Sequence, residues 1–397
     1  MKFLGAAVAG IASLLSLQAT ASPVPTPVEA RQATGTISNN VIFSPPSNAG
    51  WVDPRVLYAR TIQLESGDLL ATWENYSPEP PIVYFPIWRS KDGGATWSEI
   101  GRVQDTVNGW GLRYQPILYE LPEAFAGYPA GTLLLAGNSI PTDLSLTKID
   151  VYASTDGGVS WEFLSSVASG GEARPNNGLT PVWEPFFLLE ASTNRRSLLS
   201  LHNEKLIIYY ADQRDPKYGQ KLSHETTTDL KTWSGVVNDV ADDSSYEARP
   251  GMPVIAKLPN NDFIYAYEVC GTDGCRVHYR LTTDPENVIA APSINLISDK
   301  GTRPVSSPYV VWSPIGGVNG TIVLSGGSQS NIFVNRALGA SNAWVEYAVP
   351  QPNAYSRSLA VLGDGSKLAI IGGGRLPPSS TNQVSISVVD LVVLLGL

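Results

Sequence analysis

A turn motif recurs along the chain. It reads Ser90-Lys-Asp92-Gly-Gly94-Ala-Thr96-Trp97, then Ser154-Thr-Asp156-Gly-Gly158-Val-Ser160-Trp161, with a degraded third copy at Thr227-Thr-Asp229-Leu-Lys-Thr232-Trp233. In such an Asp-box the aspartate accepts backbone N–H bonds inside a tight hairpin turn. Glycine supplies the positive φ the turn requires, and tryptophan covers it with apolar surface. A hairpin turn returning about every sixty residues implies one small sheet per repeat, the sheets stacked around an axis.

The composition fits that constraint. Charged residues are only 16% of the 397, aromatics reach 9%, and there are 36 Gly and 30 Pro, which suits short strands joined by turns. An extended segment, a turn and a β-rich run recur six times: Tyr58 to Asn75, Tyr114 to Asn138, Pro181 to Asp212, Arg249 to Glu268, Ser307 to Gly326 and Arg357 to Gly373. Each is followed by an outer hairpin. The expectation is an all-β, six-bladed β-propeller of four-stranded antiparallel blades around a central funnel. A strand near Val41-Ile-Phe43 would complete the last blade and close the ring.

Residues 1–21 carry Lys2, an apolar run through Leu17 and a small-residue end at Ala19-Thr-Ala21, the pattern of a secretory signal. Residues 22–33 are expected to form a propeptide or disordered leader, and residues 34–397 a single propeller domain in an extracellular protein. The apolar tail from Val388 to Leu397 is too short to span a membrane and reads as a final strand. Cys270 and Cys275 could close a small loop as a disulfide, or stay as two thiols. With no other cysteine and three histidines, a cysteine-based metal site is not expected. A net charge of −9 argues against nucleic acid and anionic membranes as partners. Asn75 and Asn319 head glycosylation sequons, each dependent on its exposure.

In a propeller the innermost strands face the funnel, so polar residues there stand out. Glu184 interrupts an apolar strand, Val-Trp-Glu184-Pro-Phe. It is either functional or paired with a neighbour such as Arg174 or Arg214. Glu268 ends the aromatic strand Phe263-Ile-Tyr-Ala-Tyr-Glu268, with Glu247 a rival in the preceding loop. Tyr355 opens the sixth blade. Arg60, Arg113, Arg249 and Arg357 hold blade-opening positions, where arginines either bind ligand or pair with buried carboxylates. Trp73, Trp110 and Tyr114 are equally readable as sugar-stacking rings or as core.

Several long motifs carry a resemblance. Thr180-Pro-Val-Trp-Glu184-Pro-Phe, Tyr209-Tyr-Ala-Asp212-Gln-Arg-Asp215, Ala-Arg249-Pro-Gly-Met252 and Pro350-Gln-Pro-Asn-Ala-Tyr355-Ser-Arg resemble fungal exo-arabinanases of glycoside hydrolase family 93 over essentially the whole mature chain. The resemblance implies a secreted, sialidase-like six-bladed propeller. Such an enzyme cleaves α-1,5-linked L-arabinan from the non-reducing end, releases arabinobiose with retention, and needs no cofactor or metal. It implies Glu184 as nucleophile, Glu268 as acid/base and Tyr355 as the tyrosine contacting the nucleophile. Arg60, Arg113, Tyr114, Arg249 and Arg357 become substrate-binding candidates, the substrate an arabinan oligosaccharide or polysaccharide and the protein a monomer. Two departures from the family pattern stand out: residues 190–202 look like an insertion in the nucleophile's blade, and the Cys270–Cys275 loop looks short. Two other readings keep the propeller. A sialidase would use a tyrosine nucleophile and an arginine triad, and a lectin-like module would use the carboxylates to bind hydroxyls without turnover.

Overall fold

The computed structural model describes residues 36–47, 50–190 and 204–397. The expected signal segment and leader lie outside the described residues, and so does the apparent insertion apart from Glu190.

Six four-stranded antiparallel sheets form the domain. Five contain consecutive strands, as in Val56–Gln63, Leu69–Asn75, Phe85–Ser90 and Ser98–Val103. The innermost strands are Val56–Gln63, Leu112–Glu120, Val182–Glu190, Arg249–Lys257, Tyr309–Ser313 and Ser358–Leu362. Each touches the next, and the last touches the first, so the ring is closed. The sixth sheet runs Ser358–Leu362, Lys367–Gly372, Val384–Asp390 and, outermost, Ile37–Phe43, which pairs antiparallel with Val384–Asp390. The N-terminal strand therefore covers the edge the C-terminal blade would expose.

The burial pattern explains the sequence pattern. Second strands are sandwiched between neighbouring blades, so Leu69–Asn75 and Leu133–Ser139 are buried along their whole length, opening on apolar runs and turning polar toward their ends. Outermost strands such as Glu162–Gly170 mix buried and exposed positions. The core is a set of clusters between blades. One joins Ile117 and Leu134 of the second blade to Phe187 and Ile208 of the third.

The Asp-boxes sit at the outer hairpins. Asp92 Oδ1 accepts the Thr96 N–H at 2.9 Å, Asp156 Oδ1 the Ser160 N–H at 3.0 Å and Asp229 Oδ1 the Thr232 N–H at 2.8 Å. Gly94 and Gly158 have φ of 101° and 94°; in the third copy Leu230 takes φ 60° itself. Two further turns keep part of the geometry: Glu286 N–H donates to Asp284 Oδ1, and Gly339 N–H to Asn335 Oδ1. The tail departs from expectation. The last strand stops at Asp390, whose side chain accepts the Val393 N–H and caps a short helix, Leu391–Leu395, ended by Gly396 at φ 66°.

Candidate active site

The funnel floor is built from one backbone device used repeatedly. The inner strands of the first four blades each break register, between Leu57 and Arg60, Tyr114 and Ile117, Trp183 and Phe186, and Gly251 and Val254. At each break one non-glycine residue takes a left-handed backbone: Tyr58 at φ 50°, Gln115 at 58°, Glu184 at 62° and Met252 at 58°. Ser307, before the fifth inner strand, takes φ 40°. A bulge re-aims a side chain that would otherwise alternate with the pleat. Each such backbone costs about 1–3 kcal/mol and persists because the surrounding ring fixes it. Gln115, Glu184, Met252 and Ser307 are all followed by proline. That recurring X-Pro was the sequence signal for the device, and it passed unread.

These bulges surround a cavity of about 450 Å³ lined by residues that include Glu74, Glu184 and Glu268. All three carboxylates are buried, at 3%, 8% and 7% exposure. Glu184 Oε2 accepts the Met252 N–H at 2.6 Å, and Glu268 Oε2 accepts the Ser307 N–H at 2.6 Å. Both flank Gly251, where an added Cβ would lie 3.3 Å from Glu184 Oε2 and 3.5 Å from Glu268 Oε1. The oxygens are thus no more than about 7 Å apart. Desolvation pushes Glu184 up to about 7, restrained by the Met252 N–H and the positive charges of Arg249 and Arg60. Glu268 rises further, to about 8, because the Glu184 charge adds to its desolvation. Glu184 is not paired with Arg174 or Arg214: Arg174 pairs with Glu172 at 2.9 Å and Arg214 with Asp212 at 2.8 Å.

Tyr355, Tyr114 and Arg249 also line this cavity. Tyr355 is coupled electrostatically to both Glu184 and Glu268, yet among the described residues the donor to the Glu184 carboxylate is the Met252 N–H. Arg249 is held by Asn177 Oδ1, Gln213 Oε1 and Gln220 Oε1 at 2.6, 3.0 and 2.7 Å. Arg113 forms a two-point contact with Glu79 and lines an adjoining cavity of about 280 Å³, which shares Tyr76 and Tyr114 with the first.

Two expected substrate arginines lie elsewhere. Arg357 is fully buried and donates to the carbonyls of Ser330, Asn331 and Gln351, a structural clamp that burial holds down at about 10. Arg60, 3% exposed, lies over the Tyr58 ring at 3.7 Å and bonds the carbonyls of Ala59 and Ser356. Neither lines the cavity, so among the described residues no sialidase-type arginine triad is assembled there. Glu247 is outside it too and meets Asn177. Trp73 is core, stacked on Phe43, and Trp110 lies beneath Lys148. Asn75 is 4% exposed, so its sequon is buried.

Cys270 and Cys275 are joined as a disulfide. Their sulfurs lie within 4.8 Å of a Glu268 oxygen, but sulfurs bonded to each other offer no thiolate, so this cluster does not suit a metal. The residue missed from sequence is Glu74. Its Oε1 accepts the Gln115 N–H at 2.9 Å, its Oε2 accepts the Tyr76 hydroxyl at 2.7 Å, and burial raises it to about 7. Trp73-Glu74 repeats the aromatic-Glu ending of Tyr267-Glu268, which was the available signal.

The solved structures that this chain is similar to include the α-L-arabinofuranosidase of Fusarium graminearum in complex with arabinobiose. It is 55% identical, with 91% of this chain and 99% of that one covered and a TM-score of 0.85. The Penicillium chrysogenum α-L-arabinanase complexed with arabinobiose is 53% identical over the same shares, with a TM-score of 0.84. A Hadza microbial sialidase, 13% identical with a TM-score of 0.55, shares the fold. No protein-family model matches the chain, and no curated protein does. A propeller funnel holding two buried, coupled carboxylates, in a chain this similar to those enzymes, is that of a glycoside hydrolase. The chain belongs to glycoside hydrolase family 93.

Proposed function

We propose that this hydrolase is a secreted, retaining exo-α-1,5-L-arabinanase that releases arabinobiose from the non-reducing end of linear arabinan. The observation that carries the reading is the pair Glu184 and Glu268, buried on either side of Gly251 with Glu268 the weaker acid. The arabinobiose bound in both fungal relatives supports the product, and residues 1–21 support secretion.

Retaining hydrolysis needs carboxyl groups about 5–5.5 Å apart, one attacking and one moving a proton. The Met252 N–H occupies Glu184 Oε2, leaving Oε1 to attack the anomeric carbon. The Ser307 N–H occupies Glu268 Oε2, so Oε1 carries the proton given to the departing glycosidic oxygen. The covalent glycosyl–Glu184 ester is then cleaved by water, which Glu268 Oε1 deprotonates. Arg249 favours the ionised form of Glu184, and Tyr355 sits beside both groups.

The test is incubation with debranched linear arabinan, resolving products over time and the anomer first released by NMR, beside Glu184→Gln and Glu268→Gln. Arabinobiose from the earliest time, formed with retention and lost in both variants, is the expected result. Mixed oligosaccharides from the start, or an inverted anomer, would overturn the exo or the retaining assignment respectively.

A further inference from the structure

We propose that Glu74 is a specificity-determining residue that grips hydroxyls of the sugar unit whose anomeric carbon reacts. The inference rests on the arabinanase reading and deepens it. Around the ring, Glu74 belongs to the first blade, Glu184 to the third and Glu268 to the fourth. The acid that protonates the leaving oxygen lies on one side of the nucleophile, so Glu74, on the other side of it, faces the retained sugar.

Its bonding leaves it free to do this. Each carboxylate oxygen has two lone-pair sites. One site per oxygen is filled, by the Gln115 N–H and the Tyr76 hydroxyl, which fix the carboxyl plane. Two acceptor sites remain on a group that lines the cavity. Among the described residues Glu74 has no salt-bridge partner; Arg60 acts on it only at a distance. A buried carboxylate with spare acceptors and no cation suits neutral polyhydroxyl ligands, whose O–H groups replace lost water without adding charge. The same chain of bonds ties Glu74 to the nucleophile. Gln115 donates to Glu74 through its N–H, and its Oε1 accepts the Glu184 N–H at 3.1 Å and the Asn138 amide at 2.9 Å. Sugar held by Glu74 is thereby in register with the attacking oxygen.

The experiment compares Glu74→Gln with wild type on an aryl α-1,5-L-arabinobioside and on its analogues deoxygenated singly at C2 and C3 of the reacting unit. Wild-type release of arabinobiose from arabinan is measured alongside, so failure of the parent reading is seen separately. Glu74→Gln is expected to lower kcat/KM by about 10- to 100-fold on the parent glycoside. On at least one deoxy analogue the loss should shrink to within about 3-fold, the mark of a contact already removed. Should Glu74→Gln not fold, Glu74→Asp, which keeps the charge but retracts it, must show the same selective loss. An equal loss on all the glycosides, or none, would overturn the assignment and leave Glu74 a structural acid.

Discussion

The second strands of the first and fourth blades carry a glutamate near their ends in comparable slots. Glu74 stands opposite Leu57 across its strand pair, and Glu268 stands opposite Gly251. Each accepts the N–H of a left-handed residue from the following blade, Gln115 or Ser307. From there they diverge. Leu57 is buried and lines the same cavity, and Glu74 takes a second donor from Tyr76. Gly251 carries no side chain there, and Glu184 and Glu268 flank it; the Glu184 charge is the second-largest cause of the rise at Glu268 and the smallest of those acting on Glu74. One backbone slot thus yields two kinds of acid, one facing a leucine and one facing a glycine shared with Glu184.

The largest effect expected from breaking this contrast is on rate. Glu268→Gln should cost about 10³- to 10⁴-fold in kcat on linear arabinan and remove the alkaline limb of the kcat/KM profile. In wild type that limb should lie well above the ordinary carboxylate range, because Glu268 is raised to about 8. Glu74→Gln should keep both limbs. The pair titrates together, so the limbs report the couple rather than one residue. An unchanged alkaline limb in Glu268→Gln would remove it as the acid.

A second, smaller effect is on stability. Glu74, Glu184 and Glu268 are raised from 4.5 to about 7, 7 and 8. Between those limits the folded protein holds more protons than the unfolded chain, so unfolding free energy falls as pH rises. Their contribution is fully present below 4.5 and is lost as pH climbs through the folded values. Thermal midpoints should drop by a few degrees from pH 5 to pH 8, and each Gln variant should flatten the slope. A midpoint that rises over this range would contradict the burial argument.

The smallest effect is the most local. In Gly251→Ala the new Cβ meets Gln220 Nε2 at 3.1 Å as well as Glu184 Oε2 and Glu268 Oε1. About a tenfold loss of kcat is expected, with stability changed by less than about 1 kcal/mol, as measured by paired kinetics and denaturant titration. Unaltered kcat would mean that the gap at Gly251 is not what sets the pair.

The sequence made the ring legible because each blade repeats the same physics. The Asp-box needs its Asp, Gly and Trp in order, and an unbroken apolar run marks a strand buried on both faces. Glu184 stood out because a carboxylate interrupting such a run is costly, whereas Glu268 took its expected role from the family resemblance. Glu74 was not singled out, although its Trp73-Glu74 ending repeats that of Tyr267-Glu268. The arginines misled for a related reason. A blade-opening position sets a residue near the axis but does not bring it into the cavity, and Arg60 and Arg357, outside its lining, bond backbone carbonyls. The tail failed on a cap: Asp390 ends the last strand by starting a helix turn.

The pairing of Ile37–Phe43 with Val384–Asp390 also sets an order of events during synthesis. The strand made among the first must wait for one made among the last, with five blades emerging between them. Until the ribosome has released the sixth blade, the ring has no way to shut, and both strands remain open to a wrong partner. The time the chain spends in that state is set by its length, and no packing in the finished ring can shorten it.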